Sequence, residues 1–418
     1  MYKDIRKCRI CGNSNLVSIL DLGIQALTGV FPKTKDEVVT SGPLELVKCL
    51  EGENEDFCGL VQLKHSYQKE ELYGANYGYR SGLNQSMVTH LHAKVKKILN
   101  RISVRPGDLV IDIGSNDSTL LQAYPTNGII LLGIDPTGDK FKQHYPKHIQ
   151  LMPDFFSAAA IKAAFGQQKA KIITAIAMFY DLEGPIDFMA QVHEVLADDG
   201  LWVFEQSYLP TMLEMNAYDT VCHEHLEYYC LKQIKWLTDR TGFKIVDVEV
   251  NSVNGGSFAV MVAKSNSPYP ENTALIHQLL SEEERKGLGT LEPYREFNRR
   301  VFNHRDELCR FLQKTRSDNE KILGYGASTK GNVILQFCRL TEKDIPFIAE
   351  VNADKFGCCT PGTHIPIISE VDARAMKPNY FMVLPWHFKP GIVEREQDYL
   401  KSGGKLFFPL PFLETIEG

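Results

Sequence analysis

Two glycine turns, each lying between a short apolar run and a helical pattern, constrain the fold of this chain more than any other sequence feature. The first follows the strand pattern Leu109–Ile113 at Gly114, and the second lies in KILGYGASTKGNVILQFC, residues 321–338. A strand, a glycine turn and a helix in succession form the repeating unit of doubly wound α/β sheets. The sequence therefore predicts two Rossmann-like layers in one chain.

Further apolar runs support this α/β fold class. Strand patterns continue at residues 128–135, 171–177 and 201–205, and a helical pattern covers residues 186–196. Patterns at 243–250 and 257–263 flank the turn NSVNGG and predict an antiparallel pair. The tail adds three short apolar strands, in the segments PFIAEVN, NYFMVLPW and GGKLFFPLP.

A chain of 418 residues is long enough for about three domains at roughly 150 residues each. We expect a small N-terminal domain over residues 1–70, a doubly wound domain over 71–266, and a Rossmann-like domain over 267–418. Residues 67–100 have a mainly helical pattern, and residues 268–316 are predicted to be a helical connector.

Four cysteines in the first sixty residues indicate a metal site. Cys8 and Cys11 form a C-x-x-C pair, whereas eight residues separate Cys49 from Cys58, where a zinc ribbon usually has about two to four. Residues 21–45 between the pairs are turn-rich and too poor in apolar residues to build a core of their own. We expect a structural Zn²⁺ on all four thiolates, with no open position for catalysis; the alternative is that Cys49 or Cys58 is a buried thiol.

Net charge and hydropathy disfavour nucleic-acid-binding, membrane and secreted proteins. With 46 Lys and Arg against 52 Asp and Glu, the net charge of −6 gives no summed field for nucleic acid or anionic lipid. No run approaches the roughly 18 apolar residues that cross a bilayer, and the start MYKDIRKCRICG lacks the apolar stretch of a signal peptide. We therefore expect a cytoplasmic protein with no nucleic-acid or membrane partner.

The first glycine turn has the features of a nucleotide site. Gly114 would admit a close ligand, and Asp135 at the end of the next strand would accept ribose hydroxyls. The turn lacks G-x-G-x-x-G, and Asp112 would repel a phosphate but attract an ammonium, which favours S-adenosylmethionine (SAM) over NAD. Another nucleotide is the alternative.

The remaining candidates for this site are Ser115 and Asn116 in the turn, Asp154, Phe155 and Phe156 around the adenine, and Met178 and Phe179 near the methyl group. Core packing is the alternative for Phe155 and Phe156.

The densest group of reactive side chains lies in CHEHLEYY, residues 222–229. An imidazole with a pKa near 6.5 suits proton transfer, and a neighbouring carboxylate can tune it. We interpret this segment as the source of a general base. Structural histidines, or a metal site at His223 and His225, are the alternatives.

Seven segments in this order resemble the bacterial sugar C-methyltransferase family. They are the early C-x-x-C with its two later cysteines, CGLVQL, DIGSNDSTLL, CHEHLEYY, NGGS, GYGASTKGN and TPGTHIPI. The resemblance runs nearly end to end. It implies a zinc-binding N-terminal domain, a SAM-binding domain, a C-terminal domain that helps hold a nucleotide sugar linked to dTDP or GDP, and methylation of a carbon, typically C-3, of a 4-keto-deoxy sugar.

The resemblance also implies roles for individual residues. His225 corresponds to the family's general base and Glu224 to the neighbouring carboxylate. Two positions depart from the family pattern: Cys222 replaces a tyrosine, and Asp181 replaces a histidine. Tyr77 and Tyr79 are similar to family tyrosines at the pocket, with ordinary loop tyrosines as the alternative.

Removal of a proton from the carbon next to the ketone would give an enolate. This step needs a hydrogen-bond donor for the ketone oxygen. The sequence leaves this donor open among Tyr228, Tyr229, His223 and the turn Asn254-Gly255-Gly256. In the tail, Ser328, Lys330 and the turn amides suggest a diphosphate cradle, with close helix packing as the alternative. His387 is a further substrate candidate, although a histidine beside Trp386 also suits a structural role.

Two rival functions stay open at this point. A nucleotide at the tail turn would suit an NAD-dependent nucleotide-sugar oxidoreductase, but no acidic residue can be placed at the end of the following strand. The cysteines would suit a zinc-ribbon nucleic-acid-binding protein, but the acidic net charge disfavours it.

Overall fold

Antiparallel strands form the N-terminal part of this computed structural model, which describes residues 2–52, 57–73 and 79–418. Its elements are β1 (Lys3–Asp4), β2 (Leu16–Ala26), β3 (Ser41–Cys49), β4 (Val61–Leu63), β5 (His65–Ser66) and the short helix α1 (Lys69–Leu72). β2, β3 and β4 pair in sequence, and β1 pairs with β5. The predicted turn-rich stretch 21–45 thus includes the end of β2 and the start of β3. These strands form because their buried face is covered by other parts of the chain, which outweighs a weak local pattern.

The central part is the predicted doubly wound sheet. Its elements are α2 (Gln85–Leu99), β6 (Leu109–Ile113), β7 (Ile130–Ile134), α3 (Gly138–Phe141), β8 (Ile149–Met152), α4 (Ala158–Phe165), β9 (Ala170–Ile176), α5 (Pro185–Val195), β10 (Leu196–Ser207), α6 (Leu209–Glu214), β11 (Glu227–Tyr228), α7 (Leu231–Arg240), β12 (Phe243–Asn251) and β13 (Ser257–Lys264). Seven strands lie in the order β12-β13-β10-β9-β6-β7-β8. β13 runs antiparallel to both neighbours.

The strand patterns of the central part are confirmed, but two helix predictions are not. α2 begins at Gln85, so much of the predicted helix over 67–100 is absent from the described part of that segment. After β6 the chain forms turns and a 3₁₀ turn at Leu121–Ala123 instead of an α-helix. Asn116 and Ser118 have φ of 48° and 64°. Side chains of the turn also bond nearby backbone groups, which competes with helix formation.

The C-terminal part is the second predicted Rossmann-like layer. Its elements are α8 (Thr273–Arg285), α9 (Glu292–Ser317), β14 (Ile322–Tyr325), α10 (Thr329–Phe337), β15 (Ile348–Glu350), β16 (Ile367–Ser369), α11 (Glu370–Ala375), β17 (Tyr380–Val383), α12 (Lys389–Arg395), α13 (Gln397–Lys401), β18 (Lys405–Phe408) and β19 (Glu414–Ile416). The strand order is β16-β15-β14-β17-β18-β19, and β19 is antiparallel to β18. α8 and α9 are the predicted connector.

The N-terminal sheet joins the other two parts. β11, from the middle of the chain, pairs with β4 and so adds a strand to it. Buried leucines of β2 and β3 share one core with α9 and the C-terminal sheet, whereas Cys8, Cys49 and Cys58 belong to the core of the central sheet. Apart from a small cluster around Leu27, Tyr67 and Leu72, most buried apolar residues of the described N-terminal part thus belong to the cores of the other two parts.

Among the described residues, none of the helices combines the length and the hydropathy that a bilayer crossing requires.

Replacement of Trp202 tests the core of the central sheet. Trp202 is fully buried on β10 and its ring packs against Phe179, Phe188, Phe204 and Phe243. We expect Trp202→Ala to lower the free energy of unfolding by about 3–5 kcal/mol because it leaves a large cavity. Urea unfolding followed by circular dichroism measures this effect. The matched control Trp236→Ala removes a tryptophan of α7 that is only partly buried, and it should cost less than half as much.

Candidate active site

The four N-terminal cysteines converge in space. The Sγ atoms of Cys8 and Cys58 are 3.5 Å apart, as are those of Cys11 and Cys49. All four sulfurs lie within 4.8 Å of one another. A tetrahedral zinc with Zn–S bonds of about 2.3 Å has sulfur–sulfur distances of about 3.8 Å, so the cluster fits this metal.

Strand pairing explains why an eight-residue separation still makes a metal site. Cys49 ends β3 and Cys58 precedes β4, and the Cys49 N–H donates to the Leu60 carbonyl across this hairpin (2.8 Å). The N-terminal pair lies on a turn in which the Cys8 N–H donates to the Asn13 carbonyl and Gly12 has φ of 71°. The four thiolates are a closed structural set with no catalytic part.

The glycine turn after β6 has the geometry of a cofactor site. Gly114 has φ of 75°, and a Cβ there would lie 3.2 Å from the Met178 side chain. Asp112 is buried, accepts a hydrogen bond from the Thr174 hydroxyl (2.5 Å), and burial raises its pKa to about 7. A bound ammonium would favour the charged carboxylate. The role of Asp112 beside the ammonium of SAM stays a prediction.

Asp135 closes the same turn. Its Oδ2 accepts the Asn116 N–H (2.8 Å), and its Oδ1 accepts the Thr137 N–H (2.7 Å). The Ser115 hydroxyl lies 2.8 Å from the Tyr145 hydroxyl. A carboxylate has about four acceptor positions, so Asp135 retains capacity for ribose hydroxyls.

The remaining cofactor candidates divide between surface and core. Asp154 and Phe155 are exposed beyond β8, and the Lys69 ammonium lies 5.4 Å from the Phe155 ring centroid. The Tyr79 carbonyl accepts from the Asn116 amide (3.2 Å), which places Tyr79 at the turn. Phe156 packs on Phe188.

Phe179 is completely buried among the rings of Trp202, Phe204 and Tyr229. It therefore supports the sheet from within the core. Tyr77 lies outside the described residues.

His225 is held in one tautomer beside this turn. Its Nδ1 lies 2.8 Å from the Thr220 carbonyl, which can only accept, so the proton is on Nδ1 and the Nε2 lone pair is available. Of residues 216–231, His225 alone is only partly buried. Its ring packs edge-on against Tyr180 (4.3 Å), two residues after the Met178 that contacts Gly114. Burial, followed by the charge of Lys330, lowers the pKa of His225 to about 3.

Two buried carboxylates, Asp181 and Glu224, lie near Cys222 in the same region. Asp181 Oδ2 accepts from the Tyr73 hydroxyl (2.8 Å), while its buried Oδ1 has no hydrogen-bond partner within the described parts of the chain. Burial raises the pKa of Asp181 well above its usual range, and the charges of Glu224 and Glu227 add to this effect. Burial also raises the pKa of Glu224, which lies near the Thr28 hydroxyl (3.4 Å).

Cys222 is buried, and its thiol pKa is raised well above the ordinary value by burial, with Glu224 and Asp181 contributing. The raised pKa favours the neutral thiol. Cys222 is therefore disfavoured as a nucleophile at neutral pH.

Three other candidates from the same segment make contacts with residues other than His225. The Tyr228 hydroxyl donates to the Thr220 carbonyl (3.3 Å), and the Tyr229 hydroxyl donates to Glu227 (2.6 Å). His223 is fully buried and packs edge-on against Tyr67 of the N-terminal part (4.7 Å).

The C-terminal part brings a cation to the site. Lys330 Nζ donates to the Asn254 carbonyl (2.9 Å), and a Cβ at Gly255 would lie 3.0 Å from the Trp386 ring. His387 is partly buried, and burial, followed by the charge of Lys330, lowers its pKa well below the usual value. Ser328 instead caps α10, where its hydroxyl accepts the Gly331 N–H (3.0 Å).

Gly256 is required by packing, because it has φ of 121° and a Cβ there would lie 2.2 Å from the Thr211 Cγ2. This turn thus brings the central and C-terminal parts into contact.

Several residues that position the site were missed from the sequence. Thr220 orients His225, and the neighbouring Asp219 accepts from the Trp386 indole N–H (2.8 Å) across the two domains. Tyr180 supports the imidazole, and Tyr73 reaches Asp181 from the N-terminal part. No local pattern marks these contacts. The position of Asp219 three residues before the start of CHEHLEYY was the only available signal.

The tail strand also ends in an acidic residue that the sequence could not place. Glu350 ends β15, and its carboxylate accepts the N–H groups of Ala327, Val351 and Asn352. It braces the second glycine turn through these three bonds.

Three family models match the chain in succession. Residues 8–73 match a "Putative zinc binding domain", residues 87–248 a "Methyltransferase domain", and residues 252–411 a "C-methyltransferase C-terminal domain". A curated relative, C-methyltransferase NovU of Streptomyces niveus, is 29% identical over 98% of this chain and 97% of its own length. The chain matches these three domain models in succession and is similar to NovU over nearly its whole length. It is thus a SAM-dependent C-methyltransferase with a zinc-binding N-terminal domain.

Solved structures share smaller parts of this methyltransferase. A Haloferax volcanii complex of the Trm112 activator with a methyltransferase is 12% identical, with a TM-score of 0.36 over 44% of this chain and 94% of that chain. The CurJ carbon methyltransferase is 13% identical, with a TM-score of 0.34 over 44% of this chain and 54% of that chain.

Removal of one cysteine tests the zinc cluster of the methyltransferase. We expect about one zinc ion per chain in the purified protein and less than about a tenth of that in Cys58→Ser, because a closed site loses a quarter of its ligands. Mass spectrometry of metal content after dialysis provides the measurement. The control Cys309→Ser lies outside the cluster and should keep its zinc, and an unchanged content in Cys58→Ser would contradict the assignment.

His223 should make folding sensitive to acid. An imidazole in the unfolded chain has a pKa near 6.5, whereas burial lowers the pKa of His223 to about 4. The stabilisation from its neutral form is complete above pH 6.5 and is lost as the pH falls towards 4. Between pH 7 and pH 4, the free energy of unfolding of His223→Phe should therefore fall by about 3 kcal/mol less than that of wild type. Urea titrations across this range test it, and parallel curves for the two proteins would refute it.

Proposed function

We propose that this methyltransferase adds a methyl group to a carbon next to the ketone of a nucleotide-linked 4-keto-6-deoxyhexose, at C-3. The observation that carries the proposal is His225, whose Nδ1 is held by the Thr220 carbonyl so that its Nε2 lone pair is available. The resemblance to sugar C-methyltransferases supplies the substrate class. A dTDP-linked or GDP-linked sugar fits it.

The reaction begins with the acidic C–H bond beside the ketone. His225 Nε2 accepts this proton, and the bonding electrons delocalise onto the ketone oxygen as an enolate. The Thr220 carbonyl stabilises the resulting imidazolium through Nδ1–H (2.8 Å). The lowered pKa of His225 keeps its imidazole neutral at physiological pH and also weakens it as a base, so the proton transfer depends on stabilisation of the enolate.

SAM supplies an electrophilic methyl group to the enolate carbon. The chain's contribution to this step is positioning, which can supply a large part of a rate enhancement when two reactants are held in line. We assign Asp112, Gly114, Ser115, Asn116 and Asp135 to this cofactor, with Asp154, Phe155 and Tyr79 at its edge. Asp181, Glu224 and Cys222 lie around the sugar in the proposal.

The three predicted segments divide this work. Residues 1–70 hold the zinc and, through Tyr73 just beyond them, reach Asp181. Residues 71–266 provide the cofactor turn and the base, and residues 267–418 provide Lys330 and His387 on the sugar side. We propose that the nucleotide lies against this last segment.

Replacement of His225 separates the base from the binding residues. We expect His225→Ala to lower methyl transfer and solvent deuterium exchange of the sugar C–H by more than about 10²-fold, because loss of a general base costs this much. Affinity for S-adenosylhomocysteine, measured by calorimetry, should stay near wild type.

The matched control is His223→Phe, two residues away, which should keep more than about a tenth of the wild-type exchange, since His223 faces Tyr67. The assays use dTDP- and GDP-linked 4-keto-6-deoxyhexoses, with product position read by NMR. Retained exchange in His225→Ala would remove His225 from the base role, and a methyl group on oxygen would refute the proposed reaction.

A further inference from the structure

Lys330 differs in position from the diphosphate cradle that the sequence suggested. Its ammonium extends from the start of α10 to the turn before β13, where Nζ donates to the Asn254 carbonyl (2.9 Å). An ammonium has three N–H donors. Asn254 is its one hydrogen-bond acceptor among the described residues, so two donors remain for a ligand.

A chain of contacts connects Lys330 with the segment that holds His225. The Asn254 turn packs through Gly255 on Trp386, and the Trp386 indole N–H donates to Asp219 (2.8 Å). The next residue, Thr220, accepts from His225 Nδ1 (2.8 Å). The packing of Gly255 on Trp386 and these two hydrogen bonds therefore connect the C-terminal domain with His225.

The electrostatic interactions agree with this placement. The positive charge of Lys330 is close enough to lower the pKa of both His225 and His387. Burial lowers the pKa of Lys330 itself, and the charge of Asp219 opposes that shift and favours the ammonium form. Asp219 is fully buried, and its Oδ1 has no hydrogen-bond partner in the described ranges.

The two tyrosine hydroxyls considered from the sequence are already engaged: that of Tyr228 bonds the Thr220 carbonyl, and that of Tyr229 bonds Glu227. The ring of His223 is fully buried against Tyr67. Lys330 combines a free donor with a full positive charge, which is the stronger partner for developing negative charge on oxygen.

We propose that the Lys330 ammonium hydrogen-bonds the ketone oxygen of the sugar and stabilises the enolate that forms when His225 removes the neighbouring proton. This inference rests on the proposed function and names its oxyanion-stabilising residue. The C–H bond breaks, the proton goes to Nε2, and the electron pair moves onto oxygen. The new C–C bond then forms as the C–S bond of the sulfonium breaks, with that electron pair left on sulfur.

Lys330→Met tests the role directly. We expect kcat and the rate of solvent deuterium exchange, measured with S-adenosylhomocysteine bound, to fall together by about 10²- to 10³-fold, the usual cost of losing one oxyanion donor. KM for the dTDP-linked 4-keto-6-deoxyhexose should change by less than about fivefold. Lys330→Arg should recover part of the exchange because it restores a cationic donor.

The matched control is Lys355→Met. Lys355 also donates to a carbonyl, that of Ala327 in the second glycine turn (2.7 Å), but its ammonium lies over Phe31 (4.4 Å). Its exchange rate should stay within about threefold of wild type. Calorimetric binding of S-adenosylhomocysteine verifies that each variant is folded, and Lys330→Gln replaces Lys330→Met if the latter fails this check.

The outcomes separate the two proposals. A tenfold or larger rise in KM with unchanged kcat and exchange in Lys330→Met would assign Lys330 to the diphosphate and overturn the inference. Wild-type protein that exchanges no sugar proton and methylates none of the keto-sugars would overturn the proposed function itself. Active wild type with a fully active Lys330→Met would overturn only the role of Lys330.

Discussion

The burial of residues 216–231 between three sheets is the constraint on which the rest of the structure depends. Within this segment, His223 packs against Tyr67 of the N-terminal sheet, Tyr229 packs in the core of the central sheet, and Asp219 accepts a hydrogen bond from Trp386 of the C-terminal domain. His225 alone remains partly accessible. Because the segment is held on every other side, its one accessible imidazole has a defined position and tautomer.

The zinc-binding domain provides one of these three supports. Its sheet shares a hydrophobic core with the C-terminal domain on one side, and its cysteines pack into the core of the central sheet on the other. A domain of this size buries little apolar surface of its own, so a metal cluster and shared cores supply its stability. The cysteine cluster thus has a structural role and helps to hold the segment that contains His225.

Burial also determines the electrostatic state of the site. It raises the pKa of Asp112, Asp181 and Glu224 and lowers that of His225, so the neutral form of each group is favoured. A neutral imidazole can accept a proton. A nearby cation favours the charged form of a carboxylate, which accepts hydrogen bonds better than the neutral acid. In the proposed reaction the sulfonium and ammonium of SAM and the Lys330 ammonium are the positive charges that complete this environment.

The sequence by itself determined both Rossmann-like sheets and the four clustered cysteines, and it marked the segment that contains the proposed base. Strand periodicity, glycine turns and cysteine spacing are features of neighbouring residues in the chain. The apolar run Leu109–Ile113, for example, predicts a buried strand without any knowledge of its neighbours in space, and all five residues are buried. The sequence also predicted an α-helix after Gly114, which the positive φ of Asn116 and Ser118 prevents. Only the tertiary structure decided which side chains face His225. The contacts of Thr220, Trp386 and Lys330 join residues up to 167 positions apart, as between Trp386 and Asp219, and such contacts depend on how domains pack rather than on any local preference.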